Sequence, residues 1–337
     1  MEQSLIDIFL EIGERSDWGE HFESPEILRA RIECYSSKLM HTYDPHYTVW
    51  DFQIQLLKWL NNADSIEDKY LLINSLSYFT FFNRDQCAAL YREALYGPTI
   101  RWLIDIENYD ITDIHLNDRI KKSIRQTFFS AATDSMNISD FRHTCGLSGS
   151  PLIWRAYVNK KDTEKEIITK VASCKKDLRD GKYKQIVVLD DFIGSGDQTE
   201  GVIDFLGHFQ EWRILFIPLL VCPQGNEAII KHLKDKTYHH ISYEPVSVLP
   251  WELILSDKRP LDSKPYPRLL AELKAFAEAI HERVIGQNKT TPQKTEYLGY
   301  KSNGALFAKF TNCPNNTLPM YHKKSDCWEP LFLRSDR

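Results

Sequence analysis

Asp190 and Asp191 stand side by side after the apolar run Ile186-Val187-Val188-Leu189 and just ahead of the small-residue loop Gly194-Ser195-Gly196. Two adjacent carboxylates can accept hydrogen bonds from a pair of neighbouring hydroxyls, or hold a hard divalent cation through its waters. A loop of small residues turns with its backbone N–H groups exposed, and a helix starting beyond it points a positive end into the same space. Val202, Leu206 and Phe209 share one face at helical spacing, so such a helix is expected after Gly196. The chemistry implied is anion binding beside a paired acid.

Other phosphate cradles do not fit. A Walker loop needs a lysine after its last glycine, where Gly196 is followed by Asp197 and Gln198. A dinucleotide fingerprint would want glycine at Thr199, and a nucleophile elbow would need a further residue on each side of Ser195. A ribose 5-phosphate site does fit: the loop holds the phosphate, and Asp190 and Asp191, at a solvent-facing strand end, accept from the ribose hydroxyls or from magnesium-bound waters. The plain alternative is a parallel strand that ends in a solvated acidic turn.

The strand, acid pair and loop resemble the phosphoribosyl pyrophosphate motif of type I phosphoribosyltransferases. By that resemblance Asp190 and Asp191 are the catalytic, magnesium-linked pair, and Gly194, Ser195, Gly196, Asp197, Gln198 and Thr199 make the phosphate loop. Two positions depart from the pattern: Gly194 lacks a hydroxyl, and Gln198 is longer than the usual Thr or Ser. The tail, LGYKSNGALFAKFTNCPNNTLPMYHKKSDCWEPLFLR over Leu298 to Arg334, is similar to the C-terminal signature of the phosphoribosyltransferase-like family of bacterial conflict systems. Asp-Asp-Phe-Ile-Gly-Ser-Gly is that family's form of the motif, and the two segments together cover about fifty residues. The resemblance implies an antiviral defence effector acting as a toxin. Its implied partners are a reverse transcriptase with its noncoding RNA and msDNA, or another defence-system protein.

The elements that must position these residues follow from pattern. Residues 1–110 carry 9 Lys+Arg against 19 Asp+Glu, a net −10, while the whole chain is −5, so the remainder is basic. The acidic part is helical by spacing: Phe52, Leu56, Trp59 and Leu60 line one helix, Leu72, Leu76 and Phe79 another, and Gly97-Pro98 stops a third. An all-helical N-terminal domain is expected over 1–110, and a phosphoribosyltransferase-like domain with a C-terminal lid over 111–337.

From Ile111 the pattern is α/β. Strands are expected at Thr127–Ala131, Leu152–Val158, Ile186–Leu189 and Ile214–Val221, and helices at Thr163–Leu178 and over Leu269 to Val284. This alternation builds a parallel sheet with helices on both faces and ligands beyond the strand C-termini, in a type I phosphoribosyltransferase-like topology by the resemblance. Further pocket residues are then Asp134, Ser135, Ser148, Gly149 and Arg155, with Asn315 and Asn316 folding back from the tail as a lid.

Other features bound the function. Seven scattered cysteines suit reduced thiols in a cytoplasm. Cys313, His322 and Cys327 lack a C-x-x-C pair and a clear fourth ligand, so no zinc is expected. No apolar stretch approaches the roughly 20 residues of a bilayer span. Lys160, Lys161, Lys165, Lys170, Lys175, Lys176, Arg179, Lys182 and Lys184 make a basic stretch that reads as a solvated helix face or as a nucleic-acid contact. Two function classes stay open: a magnesium-assisted ribosyl or phosphoribosyl transferase-like enzyme, monomeric or oligomeric, and an inactive nucleotide-sensing module that regulates a partner.

Overall fold

A computed structural model describes residues 4–15, 23–44, 51–149, 152–159, 161–260, 265, 267–286 and 296–334. The chain divides into two compact units, one formed by Met1–Asp85 with Pro250–Arg337 and the other by Gln86–Leu249. This differs from a cut at residue 110. The N-terminal helices share a core with the C-terminal tail, while residues 86–110 cluster with the α/β body.

That body is a parallel sheet with the strands Thr127–Ala131, Gln185–Ile193, Arg213–Val221 and Ile241–Tyr243 in this spatial order; Ser247–Val248 also pairs with Arg213–Val221. Ile186 to Leu189 are completely buried, as a strand covered on both faces requires. Ile153 makes a single parallel bridge to Ala131, on the side away from Gln185–Ile193. The chain therefore steps outward from Thr127–Ala131 to Ile153 and then crosses back to Gln185–Ile193. The reversal puts a topological switch point between Thr127–Ala131 and Gln185–Ile193, where ligands of open α/β sheets bind.

The same reversal distributes the helices. Right-handed crossovers that all run in one direction place their helices on one face. Accordingly Val171, Cys174 and Leu178 of helix Glu164–Asp180, Val202 and Ile203 of Asp197–Leu206, and Ile229 of Pro223–Lys236 share one core with Ile186, Val188, Ile214 and Phe216. On the outward step, helix Ile138–Cys145 sends Phe141 to Phe129, with ring centroids 5.7 Å apart. Phe129 alternates with the Phe128 of the first core, so helices cover both faces of the sheet.

The expected strand Leu152–Val158 is not formed beyond its Ile153 bridge. Trp154–Tyr157 is a 3₁₀ turn instead, because Trp154 is drawn inward: it is fully buried, its Nε1 donates to Ser130 Oγ at 2.7 Å, and its ring meets Phe209 edge-on at 5.3 Å. Gly97-Pro98 does not stop a helix either. The missing proline N–H is absorbed by a π turn over Leu95–Thr99, and the helix resumes as Ile100–Ile106. The helix expected at Thr163–Leu178 is Glu164–Asp180, closed at its start by a Thr163–Glu166 capping box.

In the other unit, Thr80–Phe82 pairs in parallel with Phe307–Lys309. Trp59 and Trp328 both donate their indole N–H to the Met320 carbonyl at 2.8 Å, and Phe79 stacks on Phe332 at 4.9 Å. Asn62 donates to the Glu329 carbonyl at 2.7 Å, and Ser75 meets the Tyr321 hydroxyl. Trp328, Leu331 and Phe332 are thus buried anchors of the tail. The helix read from Leu269 onward is two pieces, Arg268–Ala279 and His281–Ile285, ended by Gly286 at φ +69°. Among the described residues no helix is long and apolar enough to cross a membrane.

Candidate functional site

The motif strand runs to Ile193, and its last residues sit beside the chain leaving Thr127–Ala131. Ala132 N donates to Leu189 O at 2.7 Å, extending the ladder to the very end of the first strand. Beyond it, Thr133 Oγ1 donates to Asp190 Oδ1 at 2.5 Å, Thr133 and Ser135 hydroxyls are 2.8 Å apart, and Ser135 Oγ donates to Asp191 Oδ1 at 2.7 Å. Asp191 N also donates to Asp190 Oδ1 at 3.2 Å. Four side chains from two neighbouring strand ends are thereby linked at the switch point.

The two acids are not equivalent. Asp190 is 2% exposed, whereas Asp191 is half-buried, so the expectation that both face solvent holds only for Asp191. Both faces of the strand are covered as far as Leu189, so the difference arises at its end: Asp190 stays under the cover that buries Ile186 and Val188, while Asp191 lies past the last fully buried residue of its own face, Leu189. A buried carboxyl group needs hydrogen-bond partners, and Thr133 and the Asp191 amide donate to this one.

Gly194, Ser195 and Gly196 form a bend that leads into helix Asp197–Leu206, whose N-cap is Gly196 at φ +88°, without a side-chain cap. The Gly196 carbonyl takes the Thr199 and Glu200 amides at 2.9 and 3.0 Å. Thr199 is buried and turned into the body, while Gln198 is exposed. The loop rests on the next strand end: Cys222 N donates to Ile193 O at 2.8 Å, and Gly225 lies so close that a Cβ there would be 2.4 Å from Gly194 O. Backbone amides at a helix start, beside a half-exposed carboxylate, can receive a phosphate and the hydroxyls of a sugar attached to it.

The remaining pocket residues are placed differently. Asp134 is exposed beside the relay, next to Ser135. Ser148 and Gly149 are exposed, and Ser150 lies outside the described residues. The Gly149 carbonyl accepts from Arg142, which also donates to the Phe129 carbonyl at the open edge of the sheet. Arg155 is exposed and turns back on its own 3₁₀ turn, donating to Val158 O at 3.0 Å, so its guanidinium caps local backbone. Asn315 and Asn316 belong to the other unit; their carbonyls accept from Tyr300 N and Ala305 N, and the Asn316 amide reaches Tyr300 O at 3.5 Å.

Sequence reasoning missed Thr133, Gly225 and Tyr91. Tyr91 is buried with its ring edge-on to Phe141, and burial, reinforced by Cys87 and then Asp191, keeps its phenol well above its ordinary value. A Gly two residues after Pro223 at a strand-to-helix junction was the one visible signal for Gly225. Three side chains of the basic stretch pair with acids: Lys170 with Asp162 at 2.6 Å, and Lys175 and Arg179 with Glu211 at 3.1 and 2.6 Å, while Lys160 lies outside the described residues. Cys313 and His322 are buried and donate to the Phe307 and Thr317 carbonyls, and Cys327 is exposed.

An open parallel sheet with an acid pair and a small-residue loop at its switch point defines an α/β protein of phosphoribosyltransferase-like class. The PRTase-CE family model matches residues 56–334, and the chain belongs to that family. Comparison with curated proteins and with solved structures gives no match in either case.

Proposed function

We propose that the chain binds a ribose 5-phosphate ligand, phosphoribosyl pyrophosphate or a nucleotide, at the Gly194–Thr199 loop and acts on it as a transferase-like enzyme. The observation that carries this reading is the half-exposed Asp191 beside the uncapped helix start at Gly196, both at the switch point of the sheet. The loop amides and the helix start hold the 5′-phosphate. Asp191 accepts from the ribose hydroxyls, and its charge favours a positively charged sugar as the bond at C1′ breaks. Asp190, which accepts from the Asp191 amide, and Ser135, which donates to the Asp191 carboxylate, keep Asp191 in place.

The donor set also suits magnesium, a hard cation that takes one or two carboxylates and completes its shell with water and phosphate oxygens. Asp191 is the carboxylate that would hold it, with Asp190 behind; when bound, the ion would neutralise charge on a departing pyrophosphate. Among the described residues there is no group of three or more His, Cys, Asp or Glu side chains that could hold a metal ion.

The likeness of the tail and of the Asp190–Gly196 segment to conflict-system proteins supports a role as a toxin effector of antiviral defence in the cytoplasm. A reverse transcriptase with its noncoding RNA and msDNA, another defence-system protein, or a second copy of the chain would then hold it in check. A sensing module without turnover is favoured by one observation: Thr133-Asp134-Ser135, at the strand end facing the acid pair, brings hydroxyls and a further acid where a departing pyrophosphate would want cations.

Incubation of the full chain with phosphoribosyl pyrophosphate or nucleoside 5′-monophosphates, with magnesium, separates the two. Release of pyrophosphate or free base that stops in Asp191→Asn supports the enzyme. Binding with no product in any of these mixtures supports the sensor.

A further inference from the structure

The two hydroxyls that serve the acid pair do more than its burial demands. Thr133 is 6% exposed and Asp190 2% exposed, so their contact satisfies a carboxylate that water does not reach. Asp191 and Ser135 are both half-buried. A carboxylate with access to water needs no protein hydroxyl for its solvation, yet Ser135 donates to Asp191 Oδ1 at 2.7 Å, with the oxygen of Thr133, whose one proton goes to Asp190, packed 2.8 Å away. The Ser135 donor comes from a segment 56 residues earlier in the chain, on the neighbouring strand end. Such a bond fixes a direction rather than balancing a charge.

We propose that the acid pair works asymmetrically, with Asp191 as the carboxylate that touches the ligand and Asp190, Thr133 and Ser135 as positioning residues that set its orientation. This rests on the ribosyl phosphate reading of the site and goes beyond it by assigning different roles to the two acids and a role to two hydroxyls outside the motif. Asp190 accepts from Thr133 and from the Asp191 amide, fixing the backbone; Thr133 packs beside Ser135; Ser135 donates to Asp191 and fixes its side chain. Substrate hydroxyls or magnesium-bound waters then meet a carboxylate already turned toward them, so that little ordering remains at binding.

The test compares the wild-type chain with Ser135→Ala, Ser135→Thr, Thr133→Val and Thr133→Ser by calorimetry with phosphoribosyl pyrophosphate and magnesium, alongside thermal unfolding. Ser135→Ala is expected to weaken binding roughly tenfold or more at an unchanged melting temperature, with Ser135→Thr restoring it. Thr133→Val is expected to weaken binding and lower the melting temperature together, and Thr133→Ser to restore both. Folded Ser135→Ala and Thr133→Val proteins that bind within about twofold of wild type overturn the assignment.

A second arm needs no ligand: the carboxyl carbon of Asp191 in labelled protein should shift in Ser135→Ala and return in Ser135→Thr. An unmoved signal overturns the relay even if the ligand binds. A wild-type chain that fails to bind defeats the ribosyl phosphate reading, and this second arm still judges the relay.

Discussion

Gly225 and Gly194 meet backbone to backbone: a methyl group at Gly225 would lie 2.4 Å from the Gly194 carbonyl oxygen and 3.1 Å from Ile193 Cγ2. Gly225 belongs to the first turn of helix Pro223–Lys236, so that helix serves as a floor for the Gly194–Gly196 loop. Gly225→Ala must displace the loop, since the nearest atom is backbone and not the end of a flexible side chain. The cost is expected at about 1–3 kcal/mol of stability, together with weakened ligand binding. Thermal unfolding and calorimetry check both; a variant unchanged in melting temperature and affinity contradicts the packing described.

The tail supports a structural role before any other. Gly299, at φ +81°, faces the carbonyl oxygens of Asn315, Asn316 and Thr317, at 2.6 to 2.9 Å from where a Cβ would stand. Gly299→Ala is expected to destabilise the protein by at least about 1–3 kcal/mol, because that backbone region is essentially reserved for glycine. Replacing Asn315 and Asn316 together by alanine should lower the melting temperature modestly and leave ligand affinity intact. Lost affinity at an unchanged melting temperature would instead make this turn a lid.

His322 gives the fold an acid-sensitive point. Burial first, then the charge of Arg334, pushes its imidazole down to about 3, from 6.5, against the opposing bond to the Thr317 carbonyl. The folded state therefore keeps His322 neutral while the unfolded chain takes up a proton below 6.5. The stability present above that pH is lost as pH falls toward 3, at about 1.4 kcal/mol per pH unit from this one group. Urea unfolding across that window should show a slope that flattens in His322→Gln. An equal slope in the variant would place the titration elsewhere.

How much of this was readable follows from the kind of interaction. The motif strand was legible because a short β-branched run is a one-dimensional signal, and the expected Ile186–Leu189 lies inside Gln185–Ile193. The bend Gly194–Gly196 and the helix Asp197–Leu206 were legible for the same reason, through small residues followed by helical spacing. Leu152–Val158 failed because Trp154 obeys a tertiary demand, its bond to Ser130, which local pattern does not encode. The burial of Asp190 was hidden likewise: both faces of the strand are covered, and how far along the strand each cover reaches depends on segments far along the chain. Thr133 was invisible, since a lone threonine after a strand has no spacing relation to acids 57 residues away. The compact units were also hidden, because the contacts of Trp59 with Met320 and of Asn62 with Glu329 join the two ends of the chain.

The central claim is that Asp191, beside the Gly194–Thr199 loop, receives a ribose 5-phosphate ligand. Calorimetry of the full chain with phosphoribosyl pyrophosphate and magnesium tests it most directly, with Asp191→Asn and the double variant Asp190→Asn with Asp191→Asn measured beside the wild type. The wild type is expected to bind with a dissociation constant of about micromolar order, and Asp191→Asn to lose roughly tenfold or more at an unchanged melting temperature. Binding that persists at wild-type strength in the folded double variant, or a wild-type chain that takes up no ligand, would contradict it.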